Sequence, residues 1–412
     1  MTLEFTQRTG SDNPLDGVGF EKKSTPAFVD IDNDGDLDAF IGKENGFIGF
    51  FENTGSASSP IFSATADSNT YSSLNNITSP APTFVDIDND GDFDAFVGQE
   101  DGTVSYFENT GSVSSATFAG ETNDDFFTNP LDSSNSAPAF VDIDGDDDLD
   151  AYVGKENDIF FYENSGNVSN YDFPSEDVAN FGSNGNNHPT FVDVDNDDDF
   201  DVFIGKGDGT ISYYENTGNA SSEIFTERTG NDNPFDGIDF GENSTPVFAD
   251  IDNDGDYDAF IGASNGTVSY YENTTTVAII ATTSPSEGIN NGEFKITVGK
   301  SNHGGLSIDF VVSGDAQRGN SSTPLTGDDY LLYYLDNSNK EYIDIDSFSI
   351  EDGIQELIVY LEPLDDYTYE GDETITITLS ESDEYDLDTN NNSISVTITD
   401  NEPVVSISNY TP

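Results

Sequence analysis

Asp30-Ile31-Asp32-Asn33-Asp34-Gly35-Asp36-Leu37-Asp38 is the first of five copies of one phrase, D-x-D-x-D-G-D-x-D; the others open at Asp86, Asp142, Asp193 and Asp250. Alternating carboxylates on a short loop, with glycine where the backbone turns sharply, suit a hard cation that takes oxygen ligands, and calcium is the expected ion. Position 1 is one of the opening aspartates; position 3 is Asp32, Asp88, Asp144, Asp195 or Asp252; position 5 is Asp34, Asp90, Asp146, Asp197 or Asp254. With position 9 (Asp38, Asp94, Asp150, Asp201, Asp258) these side chains can converge on one ion. Position 7 (Asp36, Asp92, Asp148, Asp199, Asp256) can add its main-chain carbonyl. The 1-3-5 spacing also opens an EF-hand loop, but position 12 is Ile41, Val97, Val153, Ile204 and Ile261, apolar where that loop needs Glu. The flanks alternate apolar and polar, so the phrase joins strands rather than helices.

Working outward, each copy reads P-x-F-[VA]-D before the loop and D-[AV]-[FY]-[IV]-G after it, then a short turn, an aromatic pair and Glu-Asn. From first Asp to that Glu the spacing is 22, 22, 21, 22 and 22 residues, while the connection to the next copy runs 34, 34, 30 and 35. A rigid loop-and-hairpin block with a variable connection predicts a four-stranded meander per repeat, with strands near Pro26–Ile31, Asp38–Lys43, Phe47–Asn53 and around Phe62. Five such sheets are expected to stack radially as the blades of a β-propeller over residues 1–276. Residues 3–10 resemble 223–230 at the same offset from the next acidic loop, so the N-terminal segment is expected to supply the missing fourth strand of the last blade. Of each aromatic pair (Phe50-Phe51, Tyr106-Phe107, Phe161-Tyr162, Tyr213-Tyr214, Tyr270-Tyr271), core packing is the expected role rather than stacking on sugars.

Residues 277–403 lose the acidic loop and keep polar–apolar alternation, as in Thr374–Leu379, which predicts a β-sandwich. The last nine residues, Val404–Pro412, echo Val277–Pro285, so a further sandwich is expected to begin there and the chain to be a piece of a longer protein.

The repeats resemble the FG-GAP/VCBS family, calcium-binding blades seen in integrin alpha-subunit heads and bacterial surface proteins. Asp147 and Asp198 replace the family's glycine at position 6, which implies weaker sites in those two copies. The second region resembles a Calx-β domain, an immunoglobulin-like sandwich, through Ser286-Glu287-Gly288, Gly327-Asp328-Asp329-Tyr330, the run from Asp365-Asp366 to Glu370-Gly371-Asp372-Glu373, and Ile398-Thr399-Asp400-Asn401-Glu402. That resemblance implies calcium ligands at one end of the sandwich: Glu287, Asp329, Asp365, Asp366, Glu370 and Asp400.

Composition narrows the function. The 412 residues hold 82 acidic and 11 basic side chains, a formal charge of −71. That surface excludes a general affinity for nucleic acid or anionic membrane, and no apolar run approaches a membrane span. Cysteine is absent, so there is no disulfide or thiolate site. The two histidines, His188 and His303, belong to no nucleophile–base pair, and paired carboxylates are already explained by cation binding, so the chain is not expected to be an enzyme. The expectation is a calcium-dependent adhesion or ligand-binding region of an exported, cell-surface protein, bacterial in origin. Met1–Phe5 is not a signal peptide, so a leader was removed or export uses a signal elsewhere. A lectin-like propeller and an accessory module of a polysaccharide-degrading enzyme are the alternatives. The ligand, a surface protein or glycan, is expected on the end opposite the acidic loops, where Lys43, Lys155 and Lys206 gather.

Overall fold

The structure is a computed structural model that describes residues 3, 5–16, 18, 22–63, 70–120, 127, 134–169, 171–174, 177–179, 181–182, 185–195, 197, 199–219, 222–299, 305–319, 328–336, 339–351, 354–364, 371–382, 385–388 and 390–400. All its regular elements are strands, apart from three single-turn 3-10 helices, and the chain divides into two compact units, Met1–Asn273 and Thr274–Pro412.

The first unit contains β1 (Phe5–Arg8), β2 (Thr25–Val29), β3 (Asp38–Gly42), β4 (Ile48–Phe51), β5 (Ala81–Val85), β6 (Asp94–Gly98), β7 (Val104–Phe107), β8 (Ala137–Val141), β9 (Asp150–Gly154), β10 (Ile159–Tyr162), β11 (Asp177–Ala179), β12 (His188–Val192), β13 (Asp201–Gly205), β14 (Ile211–Asn216), β15 (Phe225–Arg228), β16 (Thr245–Ala249), β17 (Asp258–Gly262) and β18 (Val268–Asn273). They form five small antiparallel sheets: β2-β3-β4, β5-β6-β7, β8-β9-β10-β11, β12-β13-β14-β15 and β16-β17-β18-β1. The N-terminal strand β1 completes the last sheet, with Phe5 opposite Asn273 and Arg8 opposite Tyr270.

Two sheets depart from the four-stranded expectation. Where a fourth strand was expected around Phe62, one isolated bridge to Asn53 takes its place, and in the second sheet Phe118 bridges Asn109 in the same way. The side-chain oxygen of Asn53 accepts the N–H groups of Gly55 (3.0 Å) and Ile61 (2.9 Å), so an Asn side chain does the work of a ladder there.

The second strand of each sheet is buried on both faces because a sheet packs on either side of it. One aromatic contact repeats at every interface. Phe40 meets Phe84 (ring centroids 4.3 Å), Phe96 meets Phe140 (4.4 Å), Tyr152 meets Phe191 (4.4 Å), Phe203 meets Phe248 (4.5 Å) and Phe260 returns to Phe28 (4.4 Å). Pairs of this geometry add about 0.5–1.5 kcal/mol each beyond their buried area. The glycine ending the second strand permits the approach. A Cβ on Gly42 would lie 2.0 Å from the carbonyl oxygen of Pro80, and one on Gly262 would lie 2.1 Å from that of Ser24. Proline in each first strand removes one N–H from an edge that, among the described residues, pairs with no other strand.

The second unit contains β19 (Thr276–Thr283), β20 (Gly292–Val298), β21 (Leu306–Gly314), β22 (Tyr330–Asp336), β23 (Asn339–Tyr342), β24 (Ser347–Ile350), β25 (Glu356–Pro363), β26 (Glu373–Leu379), β27 (Asp386–Leu387) and β28 (Ser393–Ile398). Sheet β23-β22-β25-β20-β19-β27 and sheet β24-β21-β26-β28 share one core. Alternate residues point inward, as Phe294, Ile296 and Val298 do on β20 and Ile375, Ile377 and Leu379 do on β26. Residues 404–412, where a further domain was expected to begin, lie outside the described residues.

Candidate metal centres

Each acidic phrase joins the first and second strand of its sheet, and the turn is built by its own side chains. The Asp30 carboxylate accepts the N–H groups of Asp34 and Gly35, both at 3.1 Å, and Asp34 Oδ1 accepts that of Asp36 at 3.2 Å. The same bonds recur at Asp86 and Asp90, and at Asp250 and Asp254. Gly35 supplies the left-handed backbone this turn requires, with φ +95°. Asp147 adopts that conformation too (φ 71°) and still donates to Asp142 at 3.0 Å, so a non-glycine residue closes the third loop. Its counterpart Asp198 lies outside the described residues.

The turn brings the carboxylates of positions 1, 3 and 5 together in all five copies, with one oxygen from each lying within 4.8 Å of the others. Position 7, expected to lend its main-chain carbonyl, turns its side chain inward as well. Asp36, Asp92, Asp148 and Asp199 are buried, and Oδ1 of each has no hydrogen-bond partner; Oδ1 of Asp32, Asp88 and Asp252 at position 3 is likewise unpartnered. An anionic oxygen buried without a donor is costly unless a cation meets it. This donor set is all oxygen and multiply charged, so it fits calcium.

Position 9, expected among the ion's ligands, makes a further contact. Asp38 Oδ1 accepts the backbone N–H of Asn53 at 2.7 Å, and Asp94, Asp150, Asp201 and Asp258 do the same for Asn109, Asn164, Asn216 and Asn273. The second oxygen of Asp94, Asp201 and Asp258 accepts a tyrosine hydroxyl, from Tyr106, Tyr213 and Tyr270. It thereby anchors the loop to the third strand. The constant spacing to Glu-Asn was the signal for this link.

Electrostatics expose the need for counter-charge. Burial first, then neighbouring carboxylates, raise Asp38, Asp94 and Asp150 to about 7 and Asp201 to about 8, and Asp258 rises well above the usual range. Burial and the other loop aspartates also push Asp195, Asp252, Asp148 and Asp199 up to about 6. A bound divalent ion reverses this logic by favouring the charged form.

In the second unit, Glu287 and Asp329 are buried. Asp329 Oδ2 accepts the Gln317 N–H, and the Asp329 carbonyl accepts the N–H of Leu364, the residue before Asp365. Glu287 donates its N–H to the Thr399 carbonyl at 3.2 Å, beside Asp400, and Asp400 Oδ2 accepts the Gly371 N–H at 2.7 Å. Asp365, Asp366 and Glu370 lie outside the described residues.

The lysines of the opposite end divide. Lys155 is 4% exposed, its ammonium 5.3 Å from the Phe160 ring centroid, so it packs inside rather than presenting itself to a ligand. Lys43 and Lys206 are half-buried, Lys43 lying over Phe51 at 5.8 Å. The aromatic pairs are buried or half-buried and pack between sheets.

No family model matches this chain, and no curated protein matches it. Among solved structures, the apo form of the Calx CBD1 domain aligns at 15% identity over 31% of this chain and 99% of that one, with a TM-score of 0.23. CBD12 from CALX1.2 aligns at 19% identity over 30% of this chain and 44% of that one, with a TM-score of 0.21. BBS1N, solved in complex with ARL6DN and soaked with lead, aligns at 11% identity over 88% of this chain and 98% of that one, with a TM-score of 0.25. Scores this low do not establish a shared fold. Among the described residues, no helix is long and apolar enough to cross a membrane.

Proposed function

We propose that the first unit is a five-bladed, calcium-binding propeller closed by its N-terminal strand, and that the second is a Calx-β-type sandwich. Together they form a non-catalytic adhesion or ligand-binding region of an exported surface protein, bacterial in origin. The observation that carries this reading is the fivefold set of converging carboxylates with buried, unpartnered oxygens. Calcium would be held by positions 1, 3, 5 and 7, and would neutralise side chains that otherwise repel one another across each loop. Ion binding then contributes directly to folding. The ligand docks at the end opposite the loops, with Lys43 and Lys206 as the candidate contacts. Isothermal titration of the calcium-stripped chain, paired with binding to the native cell surface with and without calcium, tests this. About five calcium ions per propeller and calcium-dependent adhesion are expected at roughly 10⁻⁴–10⁻³ M, as for extracellular modules. No calcium uptake by a folded chain overturns the metal reading; adhesion indifferent to calcium overturns the functional one.

A further inference from the structure

Two residues stand out from the repeat pattern of the first unit: His188, in the wall of one cavity, and Lys23, two residues before the wall residue Thr25. About 200 Å³ of partly open space is lined by β2, β5, β8, β12 and β16, the first strands of the five sheets. In a chain with 82 acidic side chains, none of the described residues lining it is acidic. The residues just before the five prolines are Thr25, Ala81, Ala137, His188 and Thr245, so four are small and one is an imidazole. His188 is 7% exposed, and among the described residues no group hydrogen-bonds its ring. Burial, reinforced by the Lys23 ammonium, holds its pKa down at about 3, so the ring is neutral at pH 7 and carries one N–H donor.

Two residues further back, the chain enters each first strand in left-handed backbone, at Lys23 (φ 58°), Ser79 (53°), Asn135 (45°), Asn186 (45°) and Asn243 (54°). Asparagine tolerates that conformation and lysine does so poorly, so folding alone does not call for Lys23. Its ammonium bonds to the third sheet, donating to Asn135 Oδ1 at 3.0 Å. The circle continues from Asn135 Nδ2 to Asn186 Oδ1 at 3.1 Å and from Asn186 Nδ2 to Asn243 Oδ1 at 2.6 Å, each amide nitrogen carrying a second N–H. Burial lowers the Lys23 pKa, while Glu100 and Glu44, both exposed and outside the wall, act to keep it charged.

An imidazole N–H in a wall without acidic residues, with an ammonium and amide N–H groups two residues before the wall strands, makes a donor-rich site. We propose that this cavity binds a small monoanion of carboxylate size, held by Lys23 at the mouth and His188 in the wall. Charge-assisted hydrogen bonds give such a site its strength, and a cation is repelled by Lys23. This inference rests on the cavity and not on the calcium reading.

The test uses the calcium-loaded full chain with ring-¹⁵N histidine, titrated with sodium acetate against sodium chloride at matched ionic strength. A saturable shift of the His188 ring, with His303 unmoved, is expected for acetate. Lys23→Asn, which installs the residue of three other repeats, should weaken binding by at least about tenfold. His188→Thr, read by calorimetry, should weaken it too; unchanged melting temperatures certify both folds. No saturable shift, an equal response to chloride, or undiminished binding in Lys23→Asn overturns the proposal.

Discussion

The Arg8 guanidinium donates to the Glu272 carboxylate across 264 positions of sequence, joining the first strand of the chain to the last strand of its first unit. One repeat earlier, Arg228 makes the same bond to Glu215 at 2.6 Å. β1 therefore takes up, by side chain as well as by backbone register, the role that β15 plays in the preceding sheet. Both pairs are partly solvent-exposed, so Arg8→Ala should cost less than about 1 kcal/mol. Deleting residues 1–9 instead exposes the edge of β18, and should lower the melting temperature sharply and promote association. Equal melting temperatures for the deletion and the intact chain would show that β1 contributes nothing to closure.

Calcium should stabilise the first unit far more than a surface ion pair does. A tenfold excess over the dissociation constant is worth about 1.4 kcal/mol per site, and five sites act together. Calorimetry in chelator and in millimolar calcium should separate by many degrees, and Asp32→Asn or Asp88→Asn should each remove one ion from the titration. A melting temperature indifferent to chelator would refute the metal assignment.

The stabilisation by calcium should grow from pH 5.5 to 7.5. Without metal, the folded chain keeps Asp38, Asp94 and Asp150 protonated up to about pH 7, whereas the unfolded chain releases those protons near 3.8. The stability this contributes is full below 3.8 and is lost as pH rises through about 7, so the melting temperature in chelator should fall across that window. His188, held neutral down to about pH 3, slopes the other way but is one group against five sites. Calcium removes the incentive to stay protonated. Parallel pH profiles with and without calcium would contradict this.

Gly262→Ala should destabilise the chain by about 1–3 kcal/mol, because the new Cβ meets the Ser24 carbonyl oxygen at 2.1 Å and Thr245 Oγ1 at 2.5 Å. Gly120→Ala meets nothing within 4 Å and serves as the control. Denaturant midpoints compare the two; equal midpoints would mean that the fifth and first sheets do not pack closely in solution.

Much of this was legible locally. Period-2 alternation, glycine at sharp turns and a phrase repeated five times are properties of neighbouring residues, so strands, loops and converging carboxylates at positions 1, 3 and 5 could be read directly. The position-7 carboxylate could not, because whether Asp36 turns inward depends on the burial around it. Lys155 misled for the same reason: its place at a turn was visible, but the Phe160 ring beneath it was not.

The sequence by itself determined the all-β character, the repeat length and the candidate ion ligands, because each follows from backbone preference and from spacing within some twenty residues. Only the tertiary structure decided that Phe260 packs on Phe28, that Asp38 holds the Asn53 N–H, and that the Lys23 ammonium acts on the His188 ring. These contacts join residues far apart in the chain. Their partners are selected by how the sheets pack on one another, which no local pattern encodes.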